Sequence, residues 1–99
     1  MAKFVLLYHG GSPPKSAEEG QKIMGAWMAW FGKVGSKLVD GGAPLGQRKV
    51  VGKGTASGAS GYSIVEASSL DQAVSLTDDH PHLMSGGAIE VCEAMPIPM

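Results

Sequence analysis

The spacing of hydrophobic and polar positions predicts three clear strands. Residues 4–8 form a short continuous apolar run, which is typical of a strand buried on both faces. Residues 62–67, where apolar and polar side chains alternate, predict a later strand, and residues 88–94 predict the last one. A two-layer domain covers only one face of its sheet, so the first strand also indicates a surface for a partner.

The middle of the chain has a weaker pattern. A further strand is predicted to start at Leu38 and Val39, to break at Asp40-Gly41-Gly42, and to resume over residues 47–51. Residues 52–61 are rich in Gly, Ser and Ala and hold no large apolar side chain. They therefore predict a mobile hairpin loop.

A first helix is predicted by its cap and by its apolar stripe. Ser16 and Glu19 have the spacing of a capping box, and Gly35 is placed to end the helix. Between them, apolar side chains recur at helical spacing. This stripe consists of Ile23, Trp27, Trp30, Phe31 and Val34.

A second helix is predicted after the third strand. Ser69 and Gln72 repeat the cap spacing, and Pro81 is expected to end the helix. The side chains expected to face the core from this helix are those of Leu70, Ala73, Val74 and Thr77.

Residues 95–99 contain two prolines, which exclude a central strand and predict an extended tail.

The order strand, helix, strand, strand, helix, strand predicts one α+β domain of ferredoxin-like βαββαβ type over residues 1–99. Its four-stranded antiparallel sheet would carry both helices on one face and leave the other face bare. A chain of 99 residues buries only a modest core by itself. We therefore expect a homodimer joined through the bare sheet face, a dimeric α/β barrel.

Net charge, the length of the apolar runs and the cysteine content limit the partners and the compartment that we expect. The net charge of −1 gives no basic face of the kind that nucleic-acid binding needs. The apolar runs are far too short for a membrane span, and the first residues do not form a signal peptide. Cys92 is the single cysteine, which fits a reducing compartment. We expect a cytoplasmic protein without nucleic-acid or membrane partners.

The densest polar cluster is Asp79-His80-Pro81-His82. An imidazole titrates near neutral pH and a carboxylate can orient it, so His80 and Asp79 are candidate acid–base residues. The structural alternative places His80 at the negative end of the second helix, which would favour its charged form. The two histidines could instead bind a metal, but the sequence offers no clear third ligand. We predict neither a metal nor another cofactor.

Other candidate residues lie at the ends of predicted elements. Asp40 could act as a base where the second strand bends, although Asp-Gly-Gly is also ordinary turn chemistry. His9, Tyr62, His82 and Trp27 are candidates for binding a small-molecule ligand. The alternatives are a loop cap for His9, a subunit seam for Tyr62 and core packing for Trp27.

A series of segments spread along the chain matches one known pattern. The segments are residues 3–8, the passage from Trp27 through Gly35 to residues 38–41 and Leu45, and residues 61–67, 69–73, 79–83 and 86–91. In these the chain resembles the YCII-related family of the dimeric α/β-barrel group. The resemblance implies a ferredoxin-like fold and a dimer.

The chain departs from that family at two places. Many relatives carry Asp-Gly-Pro-aromatic before the third strand, where residues 55–60 here read TASGAS. Another branch has a histidine on the first helix, proposed to work with an aspartate, and the first helix here has none. Most of the family has no established activity. Two hypotheses follow: a domain that binds or transforms a small organic molecule by acid–base chemistry at the Asp79-His80 turn, or a non-catalytic oligomerising or regulatory module.

Overall fold

Four strands form one antiparallel sheet in the computed structural model, which describes residues 1–97. They are β1 (Ala2–Gly10), β2 (Leu38–Asp40), β3 (Gly61–Ala67) and β4 (Gly87–Ala94). Their order across the sheet is β2-β3-β1-β4, and every neighbouring pair is antiparallel. The predicted ferredoxin-like α+β fold is confirmed, with β1 as an inner strand paired on both sides.

Three α-helices pack on one face of this sheet: α1 (Ala17–Val34), α2 (Leu70–Ser75) and α3 (Pro81–Met84). A 3-10 turn, Gly35–Lys37, joins α1 to β2. The short α3 is additional to the two helices that the sequence predicted. Among residues 1–97, each helix is too short or too polar to cross a bilayer.

The core lies between the helices and one face of the sheet. β1 directs Phe4, Leu6 and Tyr8 to this face, where all three are buried. α1 adds Trp30 and Val34 from the predicted apolar stripe. Burial of a large apolar side chain contributes about 1.5–3 kcal/mol, so these contacts hold the helix layer on the sheet.

No helix within residues 1–97 covers the other face of the sheet. Val5 and Leu7 of β1 point to that face and are half-buried. Val5 lies opposite Ile64 of β3 on one side and opposite Cys92 of β4 on the other. The single chain therefore has an apolar face that its own helices leave open.

The serine bonds of the two predicted capping boxes are present. The Ser16 hydroxyl accepts a hydrogen bond from the Glu19 backbone N–H at 3.1 Å, and Ser69 accepts one from Gln72 at 3.1 Å. α1 stops at Gly35, whose φ of 58° lies in the left-handed region that favours glycine.

The second strand is shorter than predicted. Residues 47–51 form no strand, and beyond β2 the pairing to β3 continues only as an isolated bridge between Pro44 and Gly61. Val51 is 96% exposed, so the apolar residues that suggested a strand here have no layer to pack against. An apolar pattern without a surface to bury does not fix a strand.

The second helix was also predicted too long. α2 ends at Ser75, and Pro81 begins α3 instead of ending α2. A proline suits the first position of a helix because its missing N–H would be unpaired there anyway. Of the four side chains expected in the core, Ala73 and Thr77 are buried, whereas Leu70 and Val74 are exposed.

The Gly-rich segment has an anchor that the sequence did not reveal. Ala59 is 1% exposed, and the Ser60 N–H donates to the carbonyl oxygen of Tyr8 at 2.7 Å. The expectation of a segment without an apolar anchor is wrong at this end, and the mobility of residues 52–58 stays a prediction.

Residues 95–97 of the predicted tail form no helix or strand, and residues 98–99 lie outside the described part of the chain.

Candidate ligand-binding cleft

The turn after α2 carries His80 into the core. Asp79 has a φ of 61°, a left-handed conformation that aspartate tolerates better than most residues. The chain thereby reverses, and His80 is fully buried while Asp79 stays on the surface. His80 then caps the N-terminus of α3, because its Nδ1 accepts a hydrogen bond from the His82 N–H at 3.0 Å.

Two tryptophans of α1 enclose the imidazole of His80. The ring centroid of Trp30 lies 4.3 Å from that of His80, and the centroid of Trp27 lies 4.7 Å away in an edge-on arrangement. Trp30 is itself fixed by a 2.8 Å hydrogen bond from its Nε1 to the carbonyl oxygen of Leu76. The histidine is therefore held in an apolar cage.

A chain of hydrogen bonds runs from His80 across the sheet. His80 Nε2 lies 3.1 Å from the Tyr8 hydroxyl, which donates to Ser63 Oγ at 2.7 Å. The Ser63 hydroxyl in turn donates to the carbonyl oxygen of Gly41 at 2.9 Å. Among residues 1–97, every buried side-chain nitrogen and oxygen has a hydrogen-bond partner.

Burial shifts the pKa values of both titratable groups in this chain. Loss of solvation lowers the pKa of His80 to about 4, and the nearby His82 acts in the same direction. Burial raises the pKa of Tyr8 to about 12, with the hydrogen bond to Ser63 opposing the rise. The expectation that His80 favours its charged form is wrong, because the helix terminus it meets is the start of α3 and its surroundings exclude water.

A cleft of about 360 Å³ opens beside Tyr8. One side is α1, and the other is formed by the segments that follow β2 and open β3. Within residues 1–97, its lining contains four aromatic residues and no Asp, Glu, Lys or Arg. The lining residues are Tyr8, Met24, Trp27, Phe31, Gly41, Gly42, Ala43, Pro44, Ser60, Gly61, Tyr62 and His82.

The aromatic wall of the cleft is continuous. Tyr8 and Trp27 meet edge to face with their centroids 5.4 Å apart, and Trp27 lies 5.8 Å from Phe31. Such offset contacts stabilise the arrangement of the rings as well as their burial. The three rings therefore form one wall.

Gly42 brings the opposite wall close to β3. Its φ is 79°, and a Cβ added there would overlap the carbonyl oxygen of Tyr62. The Gly42 N–H donates to the Asp40 carboxylate at 2.8 Å. Asp40 is exposed and shapes the turn, which agrees with the turn-chemistry alternative for this residue.

His82 also lines the cleft. Its ring fits beside Gly11 and Gly87; a Cβ at Gly87 would overlap the ring. His82 Nε2 lies 2.9 Å from the His9 carbonyl oxygen, which can only accept, so Nε2 carries a hydrogen, and in the neutral ring Nδ1 carries the lone pair. Trp27 and His82 also line a second cavity of about 250 Å³, toward the Gly10–Pro14 loop.

The structure separates the predicted site residues into groups. His80, His82 and Trp27 lie on the helix side of the sheet, where the rings of all three are next to Tyr8. His9 belongs to the opposite face and pairs with Glu90 at 3.2 Å. The Tyr62 side chain also points to that face, since it alternates with the buried Gly61 and Ser63 along β3, and only part of the residue borders the cleft.

The two histidines of the His-Pro-His sequence do not converge on one point. Both nitrogens of His80 take part in hydrogen bonds, to Tyr8 and to the His82 N–H, and His82 Nε2 bonds to the carbonyl of His9. In the described residues, no three His, Cys, Asp or Glu side chains gather as metal ligands.

Sequence reasoning missed Tyr8 and Ser63 as members of the site. Tyr8 was included only in the apolar run of the first strand. Ser63 carried a signal, since it is a hydroxyl side chain on the core-facing side of an alternating strand. A buried serine requires a hydrogen-bond partner, and Tyr8 on the neighbouring strand β1 is one such partner.

Comparison with known proteins supports the fold. No family model matches the chain, and no curated protein matches it significantly. A solved structure, that of 5-chloro-2-hydroxyhydroquinone dehydrochlorinase (TftG) from Burkholderia phenoliruptrix AC1100 in complex with 2,5-dihydroxybenzoquinone, aligns with a TM-score of 0.51. The alignment covers 88% of this chain and 90% of that chain at 22% sequence identity. The chain thus shares its fold, over most of its length, with this dehydrochlorinase.

Proposed function

We propose that this domain binds a small, flat, uncharged organic molecule in the cleft beside Tyr8. The observation that carries the proposal is the lining of the cleft, which combines the aromatic side chains of Tyr8, Trp27 and Phe31 with the backbone of a Gly-rich turn and lacks charged side chains. A charged ligand would lose its hydration there without gaining an ionic partner. A flat ring instead gains contact with the aromatic faces.

The size of the cleft favours a ligand with one ring. Its volume of about 360 Å³ lies at the lower end of the range typical of small-molecule sites. Trp27 and Phe31 offer faces on one side, and Gly41 and Gly42 on the other let the backbone approach a flat molecule closely. The dehydrochlorinase that shares the fold was solved with a one-ring compound, which is in keeping with a ligand of this size.

His82 replaces His80 as the acid–base group of the proposed site. His80 is fully buried, and both of its ring nitrogens are engaged. His82 borders the cleft, is half-buried, and keeps the lone pair of Nδ1. A base needs such a lone pair and access to the proton it removes. Asp79 is exposed and contributes to the turn instead of orienting an imidazole.

A second candidate function, a non-catalytic oligomerising module, is favoured by the open sheet face. Val5, Leu7, Ile64 and Cys92 form an apolar surface that the helices of the same chain do not cover. We propose that two chains bury this face against each other as a homodimer. Such a dimer, and membership of the YCII-related family, are compatible with a ligand in the cleft, because the cleft lies on the helix side of the sheet.

Ligand binding is tested with three uncharged probes of similar size: phenol, anisole and cyclohexanol. We expect phenol or anisole to shift the NMR signals of Trp27 and Gly42 at millimolar concentration, and cyclohexanol to leave them unchanged. Phe31→Ala removes a ring from the wall and should weaken binding up to about tenfold.

Met28→Ala is the matched control, because Met28 also lies on α1 but is 64% exposed and does not border the cleft. It should bind the probes as the wild type does. Binding of cyclohexanol as tight as that of both aromatic probes would contradict the proposal, and so would an unchanged affinity in Phe31→Ala.

A further inference from the structure

The hydrogen-bond chain through Tyr8 runs in one direction only. At one end, the His82 backbone N–H donates to Nδ1 of His80, and a backbone N–H cannot accept. At the other end, the Gly41 carbonyl oxygen accepts from Ser63, and a carbonyl cannot donate. The two fixed ends determine the orientation of each hydrogen between them.

The orientation can be followed from His80 to Ser63. Neutral His80 has one hydrogen, and Nδ1 is already an acceptor, so the hydrogen is on Nε2 and is donated to the Tyr8 oxygen. Tyr8 donates its own hydrogen to Ser63, and Ser63 donates its hydrogen to Gly41. Every hydrogen of the chain is therefore used inside the protein.

We propose that the cleft selects ligands that donate a hydrogen bond, because Tyr8 lines the cleft and its hydroxyl oxygen can only accept. The proposal rests on the proposed function and specifies the ligand class. A phenolic oxygen can accept two hydrogen bonds, and His80 uses one of them. The remaining lone pair suits a ligand hydroxyl or N–H and repels an ether or carbonyl oxygen.

His80 and Ser63 act as positioning residues in this proposal. Ser63 holds the Tyr8 hydroxyl hydrogen away from the ligand, and His80 supplies the hydrogen that keeps Tyr8 in this orientation. The caging tryptophans support this role, because they exclude the water that could otherwise reverse the chain. The favoured ligands are hydroxylated flat rings, such as phenols and enols, over their methyl ethers.

The experiment compares phenol, which can donate, with anisole, which can only accept. We expect wild-type protein to bind phenol about five- to tenfold more tightly than anisole in a calorimetric or NMR titration, because one hydrogen bond contributes about that much to affinity. Tyr8→Phe keeps the ring and removes the oxygen. The ratio of its affinities for phenol and anisole therefore reports the effect of the extra methyl group of anisole, without the hydrogen bond to Tyr8. That ratio should fall close to one.

Ser63→Ala is the more decisive variant, because it changes the orientation of the Tyr8 hydroxyl and keeps its oxygen. It frees the Tyr8 hydroxyl to donate into the cleft, so the preference should shift toward anisole relative to wild type. Ser75→Ala is the control, since the Ser75 hydroxyl donates to the Gln72 carbonyl on α2 and does not border the cleft, so the ratio should stay unchanged. NMR spectra establish that each variant is folded, and if Tyr8→Phe does not fold, Ser63→Ala decides alone.

Two outcomes would overturn the proposal: equal affinity of the wild type for phenol and anisole, or the same ratio in Ser63→Ala as in the wild type. Both outcomes leave binding of aromatic rings intact, so they are distinguishable from failure of the proposed function. That failure would appear as no preference for either aromatic probe over cyclohexanol.

Discussion

His80 is a titratable residue that the fold keeps neutral. It is fully buried between Trp27 and Trp30, and its pKa is lowered to about 4 chiefly by burial. Its neutral form satisfies both ring nitrogens, whereas a proton on Nδ1 would break the cap of α3. The stability of the domain is therefore linked to the protonation of this residue.

We predict that acid destabilises the domain through His80. The unfolded histidine takes up a proton near its ordinary pKa of about 6.5, whereas the folded one does so only near pH 4. The contribution of neutral His80 to the free energy of unfolding is fully present above about pH 6.5, and it declines as the pH falls toward 4. Urea unfolding at a series of pH values should show this slope.

The slope should be smaller in His80→Gln, which has no group to titrate at this position. His9→Gln is the matched control, because His9 is partly exposed on the other face and pairs with Glu90. An equal pH dependence in wild type and His80→Gln would contradict the prediction.

The sequence could identify His80 as a candidate but not its partners. The Asp79-His80 pair stood out because the two residues are adjacent, yet the bond to Tyr8 spans 72 positions of the chain. The pairing depends on the turn at Asp79 and on the sheet register, which brings Tyr8 and Ser63 onto the same face. Both are tertiary features, so local spacing could not reveal whether the histidine would be exposed or buried.

At the scale of elements, the connection from β2 to β3 determines the shape of the cleft. The sequence predicted the caps and most strand bounds, because capping bonds and alternation depend on near neighbours. It predicted a continued strand over residues 47–51, where the chain instead leaves the sheet. The turn at Gly42 is fixed by a close approach to the Tyr62 backbone, which no periodicity records.

We predict that Gly42→Ala destabilises the domain by about 2 kcal/mol or more, because its Cβ would overlap the Tyr62 carbonyl and its φ is positive. In thermal unfolding, this corresponds to a melting temperature lower by about 8 °C or more for a domain of this size. Binding of aromatic probes should weaken as well.

Gly46→Ala is the control within the same connection, since its Cβ would meet nothing within 4 Å. Its melting temperature should stay close to that of the wild type. A Gly42→Ala protein as stable as Gly46→Ala would show that this turn moves freely away from β3.

At the scale of the whole molecule, the sheet has one packed face and one open face. The packed face holds the core and the cleft, and the open face presents the side chains around Val5 and Ile64. A chain of 99 residues buries only a modest core by itself. Association through the open face would bury apolar surface without closing the cleft.

We predict a dimer at micromolar concentration that Ile64→Lys converts to a monomer. A lysine at this position would place a charge in the centre of the apolar face, where its desolvation opposes association. Light scattering or analytical ultracentrifugation gives the mass.

Leu70→Lys is the control, because Leu70 is apolar and 51% exposed but lies on α2, on the helix side of the sheet. This variant should remain dimeric. A monomeric wild type would contradict the prediction, as would a dimer lost equally in both variants.

The inner position of β1 has a consequence for how such a domain can diversify. One strand of nine residues supplies Phe4 and Leu6 to the core, Tyr8 to the cleft and Val5 to the open face. Substitutions at most positions of β1 therefore disturb the core, the cleft or the open face, and selection acts against them. Met24 and residues 43–44 also border the cleft, but they belong neither to the core cluster nor to the open face of the sheet. Homologous lineages that acquire new ligands should accumulate their changes there, while β1 evolves slowly.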